Sequence, residues 1–282
     1  MGAGDLELLE TLGRHPFLSA RLLATLLGRD ERWATGRIRH LEAQQLVRAA
    51  LPAELGSIKL RTDRVFELTR GGLIAVAARL GLPPATAVRV HALAGGGPQE
   101  NFGVRPELLA HAAHTLGADR ILVGLAASAR ADQRGACLAE WRNAAACAHG
   151  RLRPDGYGLL RMQGRDCGFF FEFDRASMRP AELRAKFLAY HRFRASRHAT
   201  RVYTSFPTVL VVSTGPGGEQ RLAQAVRAVD TGFASPLSVL LTTTAWIDTH
   251  RSGMLGPIWR QPHAMMRLSW PRLATAGVQH AG

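Results

Sequence analysis

The stretch "FFFEFD", Phe169 to Asp174, constrains this chain more than any other. Side chains alternate along a strand, so Phe169, Phe171 and Phe173 share one face while Phe170, Glu172 and Asp174 share the other. A strand opening on three phenylalanines is bound for a core. Its end, with two carboxylates on one face, is either a strand end reaching solvent or acidic groups gathered around a metal ion. Pro154-Asp155 opens a partner strand, so residues 151–177 read as a β-hairpin long enough to bring Asp155 alongside Glu172.

Around that hairpin, strands alternate with helices. "PAELRAKFLAYHRFRAS" is a helix entered through Pro180 in its first turn. "PTVLVVST" is a buried strand, "EQRLAQAVRAVD" a helix and "LSVLLTTTAWI" a further strand. A helix is expected over 106–118, followed by "RILVGLA" as a strand or a further helical turn. A short strand or helix is expected around Glu140 and Trp141. This order predicts an α/β domain with a mixed central sheet over 104–265, followed by a tail, 266–282.

Residues 5–80 have a different grammar. Leu6, Leu9 and Leu12 lie at helical spacing before Pro16, Ser19 caps a helix that ends at Gly28, and Asp30 caps a third helix. An extended segment from Val47, a turn with Pro52 and Gly56, and "RVFELT" follow; Thr69 then caps a closing helix. Helices, hairpin and trailing helix in that order predict a winged helix-turn-helix. Residues 81–103, with two prolines and a triple glycine, read as a linker. The fold class is thus α/β, or α+β overall, with an N-terminal winged helix.

Charge points to a polyanion. Lys plus Arg number 36 against 22 acidic residues, a formal net charge of +14 with a pI near 11.3. Such a balance suits nucleic acid, here double-stranded DNA. On the third helix Ala34, Ile38 and Leu41 face inward and Arg32, Thr35, Gly36 and Arg39 face outward. That cationic face suits the major groove, with Lys59, Arg61 and Arg64 of the hairpin reaching the flanking backbone. Docking to a protein is the other use of such a fold. No apolar run approaches the ~20 residues that cross a bilayer. No basic-then-apolar leader opens the chain, and three cysteines fit no zinc spacing. A cytoplasmic location with the nucleoid or a plasmid is expected.

The acidic residues can carry chemistry. Asp155 and Glu172 on adjacent strand ends, with Asp174 in support and Glu140 as a further ligand, suit Mg2+ or Mn2+, which prefer carboxylate oxygens. Only Lys59 and Lys186 of the basic residues are lysines. Lys186 lies four residues from Tyr190 on one helix side, where it could reach over the acids to orient a nucleophilic water or neutralise a phosphoryl group.

The order acid, Pro-Asp, Glu-x-Asp, then Lys-x-x-x-Tyr on the next helix resembles the PD-(D/E)xK nuclease superfamily, whose fold is that of the restriction endonucleases. Pro154-Asp155 would be its first motif and Glu172-Phe173-Asp174 its second. The lysine expected at position 174 is an aspartate here, with Lys186 placed to substitute from the neighbouring helix. The set "FELTRGGL", "RPDGYG", "FFFEFDRAS", "LRAKFLAYHRF", "FPTVLVV" and "GPIWR" resembles the replication-relaxation proteins of plasmids and other mobile elements over roughly residues 5–260. That resemblance implies a DNA-associated role in replication, DNA relaxation or transfer, beside other replication or transfer proteins. Two functions stay open: metal-dependent phosphodiester nicking, or a non-enzymatic DNA-binding accessory role with a degenerate nuclease-like domain.

Overall fold

A computed structural model describes residues 1–50, 64–83, 93–94, 103–104 and 112–270. It divides into two compact units, one of residues 1–127 with 142–146 and one of residues 128–141 with 147–282.

The first unit begins with α1 (Ala3–Arg14), β1 (Leu18–Ser19), α2 (Ala20–Leu27) and α3 (Glu31–Ala43). The caps form where the sequence places them. Ser19 Oγ accepts from the Leu22 N–H at 3.3 Å, and Asp30 Oδ1 accepts from the Arg32 N–H at 2.8 Å. Gly28 closes α2 in the left-handed region at φ 64°, where a residue without Cβ is unstrained. Leu8, Leu9, Leu12, Leu23, Ala34, Ile38 and Leu41 are buried. The third helix ends at Ala43. Gln45 turns to φ 57°, and Val47 already belongs to β2 (Val47–Ala49). β3 (Val65–Leu68) pairs antiparallel with both β1 and β2. The Thr69 hydroxyl then caps α4 (Arg70–Leu80) by accepting from the Gly72 N–H at 3.2 Å. Within the segment expected as a linker, β4 (Leu93–Ala94) pairs antiparallel with β5 (Gly103–Val104).

The segment "RILVGLA" is helical. α5 runs Ala112–Ala131 without a break, because its apolar residues continue a helical stripe in which Leu122, Val123, Leu125 and Ala129 are buried.

The second unit is built on a five-stranded mixed sheet. β6 (Cys137–Asn143), β7 (Gly156–Met162), β8 (Arg165–Asp174), β9 (Thr208–Ser213) and β10 (Val239–Thr243) lie in the order β10-β9-β8-β7-β6. β7 and β8 are antiparallel, whereas β8–β9 and β9–β10 are parallel. The segment around Glu140 is therefore a strand. β7 turns into β8 through Gln163 and Gly164, at φ 52° and 73°, the tight two-residue geometry that fixes hairpin register. α6 (Pro180–Arg194), α7 (Arg197–Val202), α8 (Pro216–Asp230), α9 (Thr244–Thr249) and a 3-10 turn at Gly253–Leu255 accompany the sheet. α9 takes up "TAWI", expected as strand, because the Thr243 hydroxyl accepts from the Trp246 N–H and starts a helix.

The phenylalanines divide as alternation requires. Phe170 packs in a core with Leu183, Phe187 and Tyr190 of α6, Val209 and Val211 of β9, and Leu222 and Val226 of α8. Phe169, on the other face, meets the edge of Trp270 at 5.1 Å between ring centroids. β8 is thus covered on both faces from Phe169 onward, and its last two carboxylates, Glu172 and Asp174, are buried. Among the described residues no helix is long and apolar enough to cross a membrane.

Candidate active site

The hairpin register fixes the first contact. Gly156 pairs with Phe171, so Asp155, one residue earlier, stands at the position opposite Glu172. The Asp155 N–H donates to Phe171 O at 3.0 Å, and the Phe173 N–H donates to Asp155 Oδ2 at 2.7 Å. Asp155 thereby closes the end of the ladder with its backbone and its side chain.

Glu172 is only 2% exposed. α6 crosses its face of the sheet and brings two partners from successive turns. Lys186 Nζ donates to Glu172 Oε2, and the Tyr190 hydroxyl donates to Oε1 at 2.6 Å. Burial pushes the Glu172 carboxyl up to about 7; the Lys186 charge opposes the shift and the nearby Asp155 charge adds to it. Burial by itself would favour neutral Lys186, but the charges of Glu172 and Asp155 hold its pKa above the usual lysine range. The three groups therefore form one electrostatic unit, in which two mutually repelling carboxylates share one ammonium.

The other predicted residues take different places. Asp174 is buried but turns toward β9 and the first turn of α8. Ser213 Oγ donates to its Oδ2 at 3.5 Å, and a Cβ at Gly218 would lie 3.4 Å from the same oxygen. Burial raises its pKa, against a backbone hydrogen bond from Ala176 and the Arg221 charge. Glu140 stands on β6, the edge strand, with β7 between it and β8. Among the described residues no three His, Cys, Asp or Glu side chains gather as a metal group, so Glu140 does not join Asp155 and Glu172. What remains is two hard carboxylates beside a lysine. That donor set fits a divalent cation such as Mg2+, which keeps most of its waters and takes one or two carboxylates, provided Lys186 yields Glu172 Oε2.

The spacing of Lys186 and Tyr190 was visible in the sequence, but not that Tyr190 would hold a carboxylate. A second feature was missed. Beside Glu172 and Lys186 opens a pocket of about 570 Å³ walled by His149, Arg151, Arg153 and Arg192. Its signal lay in "RLRP" immediately before Asp155 and in the helix line Ala185, Ala189, Arg192, whose alanines leave room above the sheet.

In the first unit, Arg32 and Arg39 of α3 are exposed and Thr35 is half-buried, on the face opposite Ala34, Ile38 and Leu41. Arg37, on neither face, pairs with the buried Asp5 at 3.1 Å. Arg64 bonds Glu42 at 2.8 Å and lies over the Phe66 ring at 5.3 Å, so part of its charge is already matched. Lys59 and Arg61 lie outside the described residues.

A sequence model of the replication-relaxation family matches residues 9–209. That span contains Asp155, Glu172, Lys186 and Tyr190, as well as α3. No curated protein and no solved structure matches the chain.

Proposed function

The chain belongs to the replication-relaxation family, and from that premise we propose that it nicks DNA of a plasmid or other mobile element by metal-dependent phosphodiester hydrolysis. The observation that carries this reading is the meeting of Asp155, just ahead of β7, with Glu172 of β8 and Lys186 of α6, the latter two lining an arginine-walled pocket. Two carboxylates and a lysine supply what metal-dependent phosphodiester hydrolysis uses: oxygen ligands for a cation and a compact positive charge for the phosphoryl oxygens. Mg2+ or Mn2+ held by Asp155 and Glu172 would lower the pKa of a bound water and stabilise charge on the phosphoryl group. Lys186 orients the attacking water or neutralises the phosphoryl oxygens. Tyr190 fixes the direction of Glu172. The α3 face, with Arg32, Thr35 and Arg39, holds duplex DNA by its phosphates, helped by Lys59, Arg61 and Arg64. On this reading the protein works with DNA in the cytoplasm, beside replication or transfer proteins.

The test is incubation of supercoiled plasmid carrying its own origin with the protein and Mg2+ or Mn2+. Conversion to open circles, abolished by chelator and by Glu172→Ala, is the expected result. Intact supercoils with DNA binding retained would sink the nicking claim. Two observations favour that second reading, a non-cleaving DNA-binding accessory protein. Both oxygens of Glu172 are already engaged, by Lys186 and Tyr190, and position 174 holds aspartate in place of the superfamily lysine.

A further inference from the structure

We infer that the pocket beside Glu172 captures the terminal phosphate of a cleaved DNA strand, an inference that rests on the nicking reading above. Arg151 and Arg153 enter it from the segment leading into β7, and Arg192 from α6. All three are exposed, and none has an ion-pair or hydrogen-bond partner among the described residues. The one carboxylate in the wall, Glu172, is already matched by Lys186. Three guanidinium groups thus converge without a counter-charge, beside a site for phosphoester hydrolysis.

The chemistry selects the ligand. When water adds to the phosphorus of a phosphodiester, one P–O ester bond breaks and the water's proton leaves with the departing sugar oxygen. The products are one hydroxyl end and one phosphomonoester end. An internal phosphodiester carries a single charge, whereas a phosphomonoester carries about 1.5 to 2 negative charges at pH 7. Guanidinium forks match its oxygens in pairs. A volume of about 570 Å³ is that of a small-ligand site, suited to a strand end and too small for a duplex. His149 builds one wall, its ring stacked on Phe193 at 4.5 Å and its Nε2 within 3.0 Å of the Tyr203 hydroxyl. Held there, the cut end would stay with the protein without a covalent bond.

The experiment uses the full chain in the presence of chelator, so that no cleavage takes place. Dye-labelled single strands of one sequence, ending in a phosphate at the 5′ or the 3′ end or in hydroxyls at both, are titrated by fluorescence anisotropy. One phosphate-ended strand is expected to bind about tenfold more tightly than the hydroxyl strand. The preference should shrink below a pH of about 6, as the terminal phosphate takes up a proton. Arg153→Ala with Arg192→Ala should erase the preference, whereas Arg153→Lys with Arg192→Lys should retain part of it, with unchanged melting of both variants confirming the fold.

Equal affinity for all strands, or a preference that survives the alanine variant, would overturn the inference. A free mononucleotide that competes as well as the phosphate-ended strand would keep the phosphomonoester site but overturn its assignment to a strand end. The two proposals fail separately. A protein that discriminates the ends yet never nicks loses only the nicking reading, and one that nicks without discriminating loses only this one.

Discussion

Tyr190 and Glu172 are joined by a 2.6 Å hydrogen bond between two buried groups. The phenol holds one carboxylate oxygen and Lys186 the other, so the single acid in the pocket wall is fixed in direction by two consecutive turns of α6.

Tyr190→Phe keeps the ring that packs on Phe170 and removes only the hydroxyl. A buried acceptor deprived of a donor costs about 1–3 kcal/mol, to be read by urea denaturation. Because Tyr190 positions Glu172, nicking by this variant should fall in turnover more than in apparent DNA affinity. An unchanged turnover would make Tyr190 structural only.

Lys186→Met, assayed at pH 8, should destabilise the protein by about 3–5 kcal/mol, because it leaves a buried carboxylate without its cation. Adding Glu172→Gln should recover most of that loss. The pH dependence has a definite sign. Burial raises the Glu172 pKa from 4.5 to about 7, against the pull of Lys186 and with a push from Asp155. Its contribution to stability is therefore complete below pH 4.5 and is lost as pH rises through about 7. Relative to the parent, Glu172→Gln should gain stability across that window; a constant difference would refute the shift.

Arg32→Ala with Arg39→Ala should weaken duplex binding at low salt. Each lost phosphate contact should lower the slope of log affinity against log salt by about 0.9. If the double variant binds with unchanged affinity and slope, α3 is not the DNA-facing helix.

Asp119 stands on α5, 7% exposed, with Oδ2 unbonded among the described residues. Burial drives its pKa well above the carboxylate range, so any stability it contributes is present at low pH and lost as pH rises. Asp119→Asn should raise stability at pH 7 by about 1–3 kcal/mol and bring little gain near pH 4. Equal effects at both pH values would show that ionisation is not the cause.

The local elements and one half of the site follow from contiguous stretches of the chain. Capping chemistry at Ser19, Asp30 and Thr69 needs only neighbouring N–H groups, so it is written within a few residues. Strand alternation put Glu172 with Phe170, and the tight turn at Gln163 and Gly164 counts Asp155 opposite Glu172. Both are properties of contiguous chain. Tertiary packing decided the rest. Where α6 lies across the sheet determines that Lys186 and Tyr190 divide the two oxygens of Glu172, and that Asp174 turns instead toward Ser213. The order of strands left Glu140 on the edge, and the convergence of Arg151, Arg153 and Arg192 joins segments some forty residues apart. Helix placement follows from burying one apolar face against many distant ones, a sum over the whole core that no local spacing contains.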